Sequence, residues 1–238
     1  MTDYRHFEEC GSTNDLAREW ASDAGDSAPD GAMVTADFQT AGRGRRGRVW
    51  QSGAGENALM SVVLRPPYGV ADAWRLGFVA ALAVSDVVMD LGASAALKWP
   101  NDVLIEGRKV SGILVEAVAL ASGEWAAIVG VGVNVNQEAF GDDHLYEVRP
   151  ISLLMSLGRA VEVDRVREMC RRRLIEREGQ HRRDGFASIA AAWRLRMAPG
   201  FEIRRGASRG IQNQLLDTGE IEVRLPDGTL ARWGTVEA

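Results

Sequence analysis

The sequence predicts an α+β fold that ends in a small all-β segment. Three observations predict it. Strand-like runs and helix-periodic runs share residues 1–197. Several of those strands are close neighbours joined by tight turns. After Ala198 only short β-like runs remain, punctuated by Gly and Asp-Gly turns. The expected division is therefore 1–197 and 198–238.

Residues 4–9 read as a strand. Ser12-Thr13-Asn14-Asp15 is a run of helix N-cap residues, and Leu16, Ala17, Trp20, Ala21 and Ala24 follow at helical spacing. Gly25 to Gly31 is a polar turn, and Ala32 to Ala36 is a buried strand leading to Gln39. Gly42 to Arg48 (Gly-Arg-Gly-Arg-Arg-Gly-Arg) has no apolar period and reads as a mobile surface loop. Asn57 to Leu64 returns to strand character. Val70 to Leu91 reads as one helix that buries Trp74, Phe78, Leu82, Val87 and Leu91. Ala95 to Lys98 and Asp102 to Ile105 are short strands around Trp99-Pro100-Asn101. Glu106-Gly107-Arg108 is a hairpin turn, and Lys109–Val118 and Trp125–Val135 are further strands. Helices are expected over 151–157, 163–178 and 184–196.

Composition narrows the function. The chain has 238 residues and a net charge of −5, a poor match to a general nucleic-acid binder. The N-terminus lacks an apolar signal region, and the most apolar stretch, Leu76 to Val84, is too short to span a bilayer. Cys10 and Cys170 form no metal or redox motif, and a reducing cytoplasmic setting is expected. His6, His144 and His181 lack metal-ligand spacing. Only Lys98 and Lys109 are lysines; the other 26 basic residues are arginine. A coding bias explains the excess of arginine. Lysine should then persist where a compact charge on a flexible stem is required, which marks both positions as candidates.

Four segments carry candidate chemistry. Arg43, Arg45, Arg46 and Arg48 place four guanidinium forks among glycines. Such a loop should repel itself when empty and order around an anion; the plainer reading is a solvated basic loop or an RNA patch. Lys98-Trp99-Pro100-Asn101-Asp102 sets polar side chains at a strand-to-strand corner, although Pro-Asn-Asp also suits an ordinary turn. In Lys109 to Glu116, alternation puts Lys109, Ser111 and Ile113 on one face and Val110, Gly112 and Leu114 on the other, with Lys109 accessible. Gly130-Val131-Gly132-Val133-Asn134 leaves one strand face without side chains, where a flat ligand could lie or a helix could pack.

Together these pieces, in this order and spacing, resemble the biotin protein ligases over roughly residues 8 to 136. The resemblance implies a mixed β-sheet backed by helices, the class II aminoacyl-tRNA synthetase-like biotin/lipoate ligase fold, followed by a small SH3-like domain. It implies formation of biotinyl-5′-AMP from biotin and ATP with Mg2+, then transfer to a lysine of a biotin carboxyl carrier domain. By position, Ser12, Thr13, Asn14 and Gln39 match the biotin ureido site. Arg43, Gly44 and Arg45 match the loop that closes over biotin and the adenylate phosphate. Lys109, with Gly112 beside it, matches the lysine at the biotin carboxylate; Lys109 and Arg45 are the catalytic candidates. The nucleotide falls to Arg45, Arg46, Arg48, Trp50, Asn101 and Asn134, with Trp50 stacked near the adenine, and magnesium to Asp102.

The chain begins almost at the catalytic domain, so DNA binding through an N-terminal helix-turn-helix is not expected. Arg232-Trp233-Gly234-Thr235-Val236 departs from the family's C-terminal pattern, and no role is carried to it. A homodimer is left open. Arg171-Arg172-Arg173 with Arg182-Arg183 reads as a solvated helix face or a carrier-docking patch. The competing functions are a lipoate or octanoate transferase of the same architecture and an RNA-binding module.

Overall fold

The turn residues become the corners of a seven-stranded mixed sheet. The structure, a computed structural model, describes residues 3–141, 146–198 and 200–235, and of Arg46 only the backbone. His144 and Val236 lie outside the described residues. β1 (Tyr4–Cys10) and β2 (Met33–Gln39) pair in parallel, connected by α1 (Thr13–Ser22). β3 (Asn57–Leu64), β7 (Trp125–Asn134), β6 (Arg108–Ala119), β5 (Asp102–Ile105) and β4 (Ala96–Lys98) continue the sheet antiparallel, in the order β1-β2-β3-β7-β6-β5-β4. Glu106 (φ 53°) and Gly107 (φ 72°) make the expected tight turn between β5 and β6.

Helices cover the two faces unequally. On one face α2 (Arg75–Asp90) and α4 (Val163–Asp184) cover Met60, Val62, Val129, Val131 and Val133, and α5 (Phe186–Arg194) packs on those two helices within the same core. On the other, α1 packs Ala17, Trp20 and Ala21 against Val34, Val63 and Ile128. Strand alternation thus sends the valines of β7 into the larger core and leaves Gly130, Gly132 and Asn134 on the α1 side. The single helix expected over Val70 to Leu91 is instead a 3-10 turn at Val70–Asp72 followed by α2. α4 runs six residues past its expected end and stops at Gly185, whose φ of 75° a side chain would resist.

The basic residues of α4 face inward more than expected. Buried Arg167 donates to the Ala36 carbonyl (2.6 Å) and pairs with Asp37 (3.0 Å). Arg171 donates to the Gly31 carbonyl and pairs with Asp3, Arg173 holds Asp90 at 2.7 Å, and Arg182 holds Glu178 at 2.8 Å. Arg171, Arg173 and Arg182 therefore stitch residues together, whereas Arg172 and Arg183 are exposed as the solvated-face reading expects.

β8 (Glu202–Arg205), β9 (Ser208–Leu215), β10 (Ile221–Arg224) and β11 (Leu230–Trp233) form a separate four-stranded antiparallel sheet. Separate hydrogen bonding does not mean a separate core: Ile203, Leu215, Ile221, Val223 and Trp233 join the cluster that contains α2 and α5. Buried Gln212 seals the junction, accepting from the Trp99 amide (3.0 Å) and donating to the carbonyls of Leu97 (3.2 Å) and Ala198 (2.7 Å). This fixes the C-terminal sheet against the Trp99-Pro100-Asn101 corner.

His181, on α4, is buried against Tyr68 (ring centroids 5.1 Å apart) and Phe186, and neither ring nitrogen has a partner among the described residues. Burial holds its pKa below the ordinary value, with Glu178 opposing. The unfolded chain therefore takes up this proton first as pH falls through about 6.5, and folding stability drops. His181→Leu should lose less melting temperature than the unsubstituted protein between pH 7 and 5.5, measured by thermal denaturation.

Candidate active site

The cavity, about 540 Å³, opens on the α1 side of the sheet, over the glycines of β6 and β7. Gly112 and Gly132 are cross-strand partners and Ser61 sits opposite Gly130. A Cβ on Gly130 would come within 2.3 Å of Asn14 Oδ1, and one on Gly132 within 2.6 Å of the Trp50 indole. The alternating glycines therefore serve two purposes: one admits the start of α1, the other admits Trp50. Among the described residues the Trp50 Nε1 is buried without a hydrogen-bond partner.

At one end of the cavity the polar groups are neutral. Ser12 makes no side-chain capping bond to its helix. The Thr13 amide (2.8 Å) and hydroxyl (3.1 Å) donate to Gln39 Oε1. Ser61 Oγ donates to Asn14 Oδ1 at 2.6 Å, and Asn14 Nδ2 donates to Glu116 Oε2 at 2.7 Å. All four candidate ureido-site residues line the cavity, and hydrogen bonds hold the side chains of Thr13, Asn14 and Gln39 in place.

The other end is cationic and is built on one carboxylate. Both lysines of the chain converge on Asp102: Lys109 Nζ is 2.6 Å from Oδ1 and Lys98 Nζ is 3.4 Å from Oδ2. Burial pushes the Asp102 carboxyl up, but the ammonium groups of Lys109 and Lys98 outweigh it and hold the group below the ordinary carboxylate range. Glu147, 3.7 Å from Lys98 and 2.6 Å from Arg48, is likewise held low: its burial is overcome by Lys98 and Arg48. Six cationic and two anionic side chains of the described residues line the cavity, in a chain whose net charge is −5. That local excess draws anions in.

Lys109 reaches this end because the expected alternation fails. β6 pairs Lys109 with Leu104 but Ser111 with Val103, so Val110 is an extra residue, a β-bulge. The bulge turns Lys109 to the same side as Gly112, whose Cβ would lie 3.1 Å from Lys109 Nζ. Neither is Lys109 freely accessible; its side chain is 28% exposed and clasped by Asp102.

The arginine–glycine segment is not an unattached loop. Arg43 bridges to Val49, a 3-10 turn spans Arg45–Gly47, and Trp50 N donates to Gly42 O. Instead of repelling one another, the guanidinium groups are shared out: Arg43 to Asp15, Arg48 to Glu147, and Arg45 to Asn101 Oδ1 (3.4 Å) and Thr235 O (3.1 Å). The Arg46 side chain lies outside the described residues. Asn101 and Asn134 both border the cavity but spend amide donors on backbone: Asn101 on Ile113 O (2.5 Å), Asn134 on Lys109 O (3.3 Å) and Ile151 O (3.1 Å). Asp102, expected at magnesium, has both oxygens on ammonium groups. No cluster of three or more His, Cys, Asp or Glu that could hold a metal occurs among the described residues.

Sequence reading missed Glu147, Glu116, Ser61 and Arg204, which hold or line this site from positions far along the chain. Glu116 ends the Lys109 to Glu116 segment but received no role there; Ser61, Glu147 and Arg204 stand in no motif, and only the fold brings them to the cavity.

The biotin/lipoate A/B protein ligase family model matches residues 10–136, just over half of the chain. The chain belongs to this family. A biotin–[acetyl-CoA-carboxylase] ligase of Paracoccus denitrificans is 39% identical over 206 residues, covering 83% of this chain and 85% of that protein. The bifunctional ligase/repressor BirA of Bacillus spizizenii is 40% identical over 155 residues, covering 65% of this chain; the aligned part spans 46%, about half, of that protein's length. In architecture the family member is similar to the biotin protein ligase from Aquifex aeolicus in complex with biotin and ATP. That likeness has a TM-score of 0.81 at 26% identity and covers 98% and 96% of the two chains. The mixed sheet, the helices behind it and the C-terminal sheet are those expected of the family fold.

Asp102→Asn leaves Lys98, only 7% exposed, with Glu147 at 3.7 Å as its remaining charge partner, and takes the carboxylate from Lys109. Removing one member of a buried ion pair costs about 3 kcal/mol when the other is left unpaired, and Glu147 makes that the upper bound here. Urea denaturation should show a loss of up to that size.

Proposed function

We propose that this chain is a biotin protein ligase. It joins biotin and ATP to biotinyl-5′-AMP, releases pyrophosphate, and transfers the biotinyl group to a lysine of a carrier domain of the acetyl-CoA carboxylase type. The observation that carries this reading is the polarity of the cavity: a neutral hydrogen-bonding end, a glycine floor, and a cationic end where both lysines share one carboxylate. Biotin has that shape and polarity, with a ureido ring, an apolar thioether and chain, and a terminal carboxylate. The Paracoccus relative's name and the biotin and ATP in the Aquifex structure support it.

In this reading Ser12, Thr13, Asn14 and Gln39 bond the ureido group, the floor at Gly112 and Gly132 flanks the apolar middle, and Trp50, which lies over Gly132, stacks near the adenine. Lys109 offsets the charge of the biotin carboxylate while one of its oxygens attacks the α-phosphorus and the bond to pyrophosphate breaks. Arg45, Arg46 and Arg48 stabilise the phosphate charge, and Asn101 and Asn134 border the nucleotide. The catalysis is positioning and electrostatic stabilisation. The carrier lysine amine then attacks the acyl carbon, AMP leaves with the bonding electrons, and the amine loses a proton to solvent. With both oxygens of Asp102 on lysines, this carboxylate does not fit the role of magnesium ligand, and no step is routed through it; ATP binds Mg2+ through its own phosphates.

No helix among the described residues is long and apolar enough to cross a membrane. Free Cys10 and Cys170 suit the reducing cytoplasm proposed for the enzyme. β1 ends the seven-stranded sheet on one side and offers the edge for a proposed homodimer, whereas the edge of β4 is covered by residues 196–198, which bond Leu97.

Pyrophosphate release from ATP-Mg should depend on biotin; release with lipoate but not biotin overturns the reading. Lys109→Ala should slow adenylate formation about 10²–10³-fold, as loss of one preorganised charge-stabilising donor does. Arg45→Gly, which loses the bonds to Asn101 and Thr235, should raise the fraction of biotinyl-5′-AMP that escapes to solvent, measured by chromatography of filtered reactions.

A further inference from the structure

Asp15 stands in the first turn of α1, where an acidic side chain commonly does no more than complement the helix dipole. Here it does something else. Arg43 of the arginine–glycine segment grips it with both terminal nitrogens, Nη1 to Oδ2 at 2.7 Å and Nη2 to Oδ1 at 2.6 Å, a two-pronged fit that fixes direction as well as distance. The hydrogen bond from Arg43 holds the Asp15 carboxyl below the ordinary carboxylate range, so the pair is fully charged at neutral pH. Asp15 is itself steadied from behind. Arg18 donates to Oδ1 at 3.0 Å and also holds Glu116 Oε1 at 2.9 Å, while Glu116 Oε2 accepts from Asn14 of the cavity. The arginine–glycine segment is thereby tied through Asp15, Arg18 and Glu116 to a side chain at the neutral end of the cavity. Its ends, Arg43 and Asn14, border the cavity; Asp15, Arg18 and Glu116 between them lie outside the lining.

We propose that Asp15 is a positioning residue for the arginine–glycine segment: through Arg43 it holds that segment over the cavity, and so limits escape of the activated acyl adenylate. The second half of this statement rests on the biotin ligase reading; the first does not. Both partners of the clasp are 38% exposed, so salt weakens it, and its release changes the residence of the segment rather than the integrity of the fold.

Two measurements decide the matter. Trypsin cleaves after the arginines at 43–48 only when the segment lifts. In the free full-length chain, cleavage within 43–48 should be about threefold to fivefold faster in Asp15→Asn than in the parent, the range an exposed ion pair supports. Asp15→Glu should stay near the parent rate, and 0.5 M NaCl should bring the parent close to Asp15→Asn while leaving the variant little changed. Equal cleavage in all three chains, or equal salt dependence in parent and Asp15→Asn, overturns the clasp. A merely dipole-complementing Asp15 would instead lower the melting temperature of Asp15→Asn without altering loop cleavage. Second, with biotin and ATP-Mg, Asp15→Asn should release adenylate to solvent by a similar factor more than the parent. Faster cleavage with unchanged release overturns the retention role. A parent that releases no pyrophosphate with biotin refutes the ligase reading, and the cleavage comparison still decides the clasp.

Discussion

The site depends on a single carboxylate. Asp102 starts β5 directly after the Trp99-Pro100-Asn101 corner, and it gathers the two lysines of the chain from β4 and from the bulge in β6. One negative charge between two ammonium groups leaves a net positive charge in a largely desolvated place. The surrounding fold makes this juxtaposition possible: the Gln212 clamp holds the corner, the Asn134 amide holds the Lys109 carbonyl, and the Lys109 backbone amide donates to Arg149 O.

Against that fixed cationic end the rest of the cavity is arranged by omission. Gly112 and Gly132 remove side chains from neighbouring strands at the same level, so the backbone itself becomes the floor. Where a side chain is admitted it is immobilised, as Asn14 is between Ser61 and Glu116. The arginines above are likewise paid out to separate elements, α1, the Glu147 segment and the C-terminal Thr235 carbonyl. An acidic chain can thus expose a concentrated positive site without the loop that supplies it flying apart.

Much of this was legible in the residue order. Turn chemistry at Glu106-Gly107 and the alternating glycines of β7 were local signals that tertiary contacts left intact, and the run at Ser12 to Asp15 marked the start of α1 although Ser12 makes no capping bond. The scarcity of lysine pointed to Lys98 and Lys109, although not to their meeting. What stayed hidden has a common cause. The Val110 bulge is a register event that a period-two pattern cannot display, and it reversed the face assigned to Lys109. Glu147 lies 99 residues from Arg48, and Glu116 lies 102 residues from Asn14, so no spacing rule links them. The inward turn of the α4 arginines was hidden for the same reason: in sequence they look solvent-facing, whereas Arg167 and Arg171 bond carbonyls of other elements.

The same bulge makes the site sensitive to backbone register as well as to chemistry. Regular pleating over the same residues would put Lys109 and Gly112 on opposite faces of β6 and turn the ammonium group away from Asp102, with every lining side chain still encoded. A change that flattened the bulge without removing a residue would therefore be more damaging than many point changes to the lining. Here one surplus residue in a strand decides which face a charge occupies.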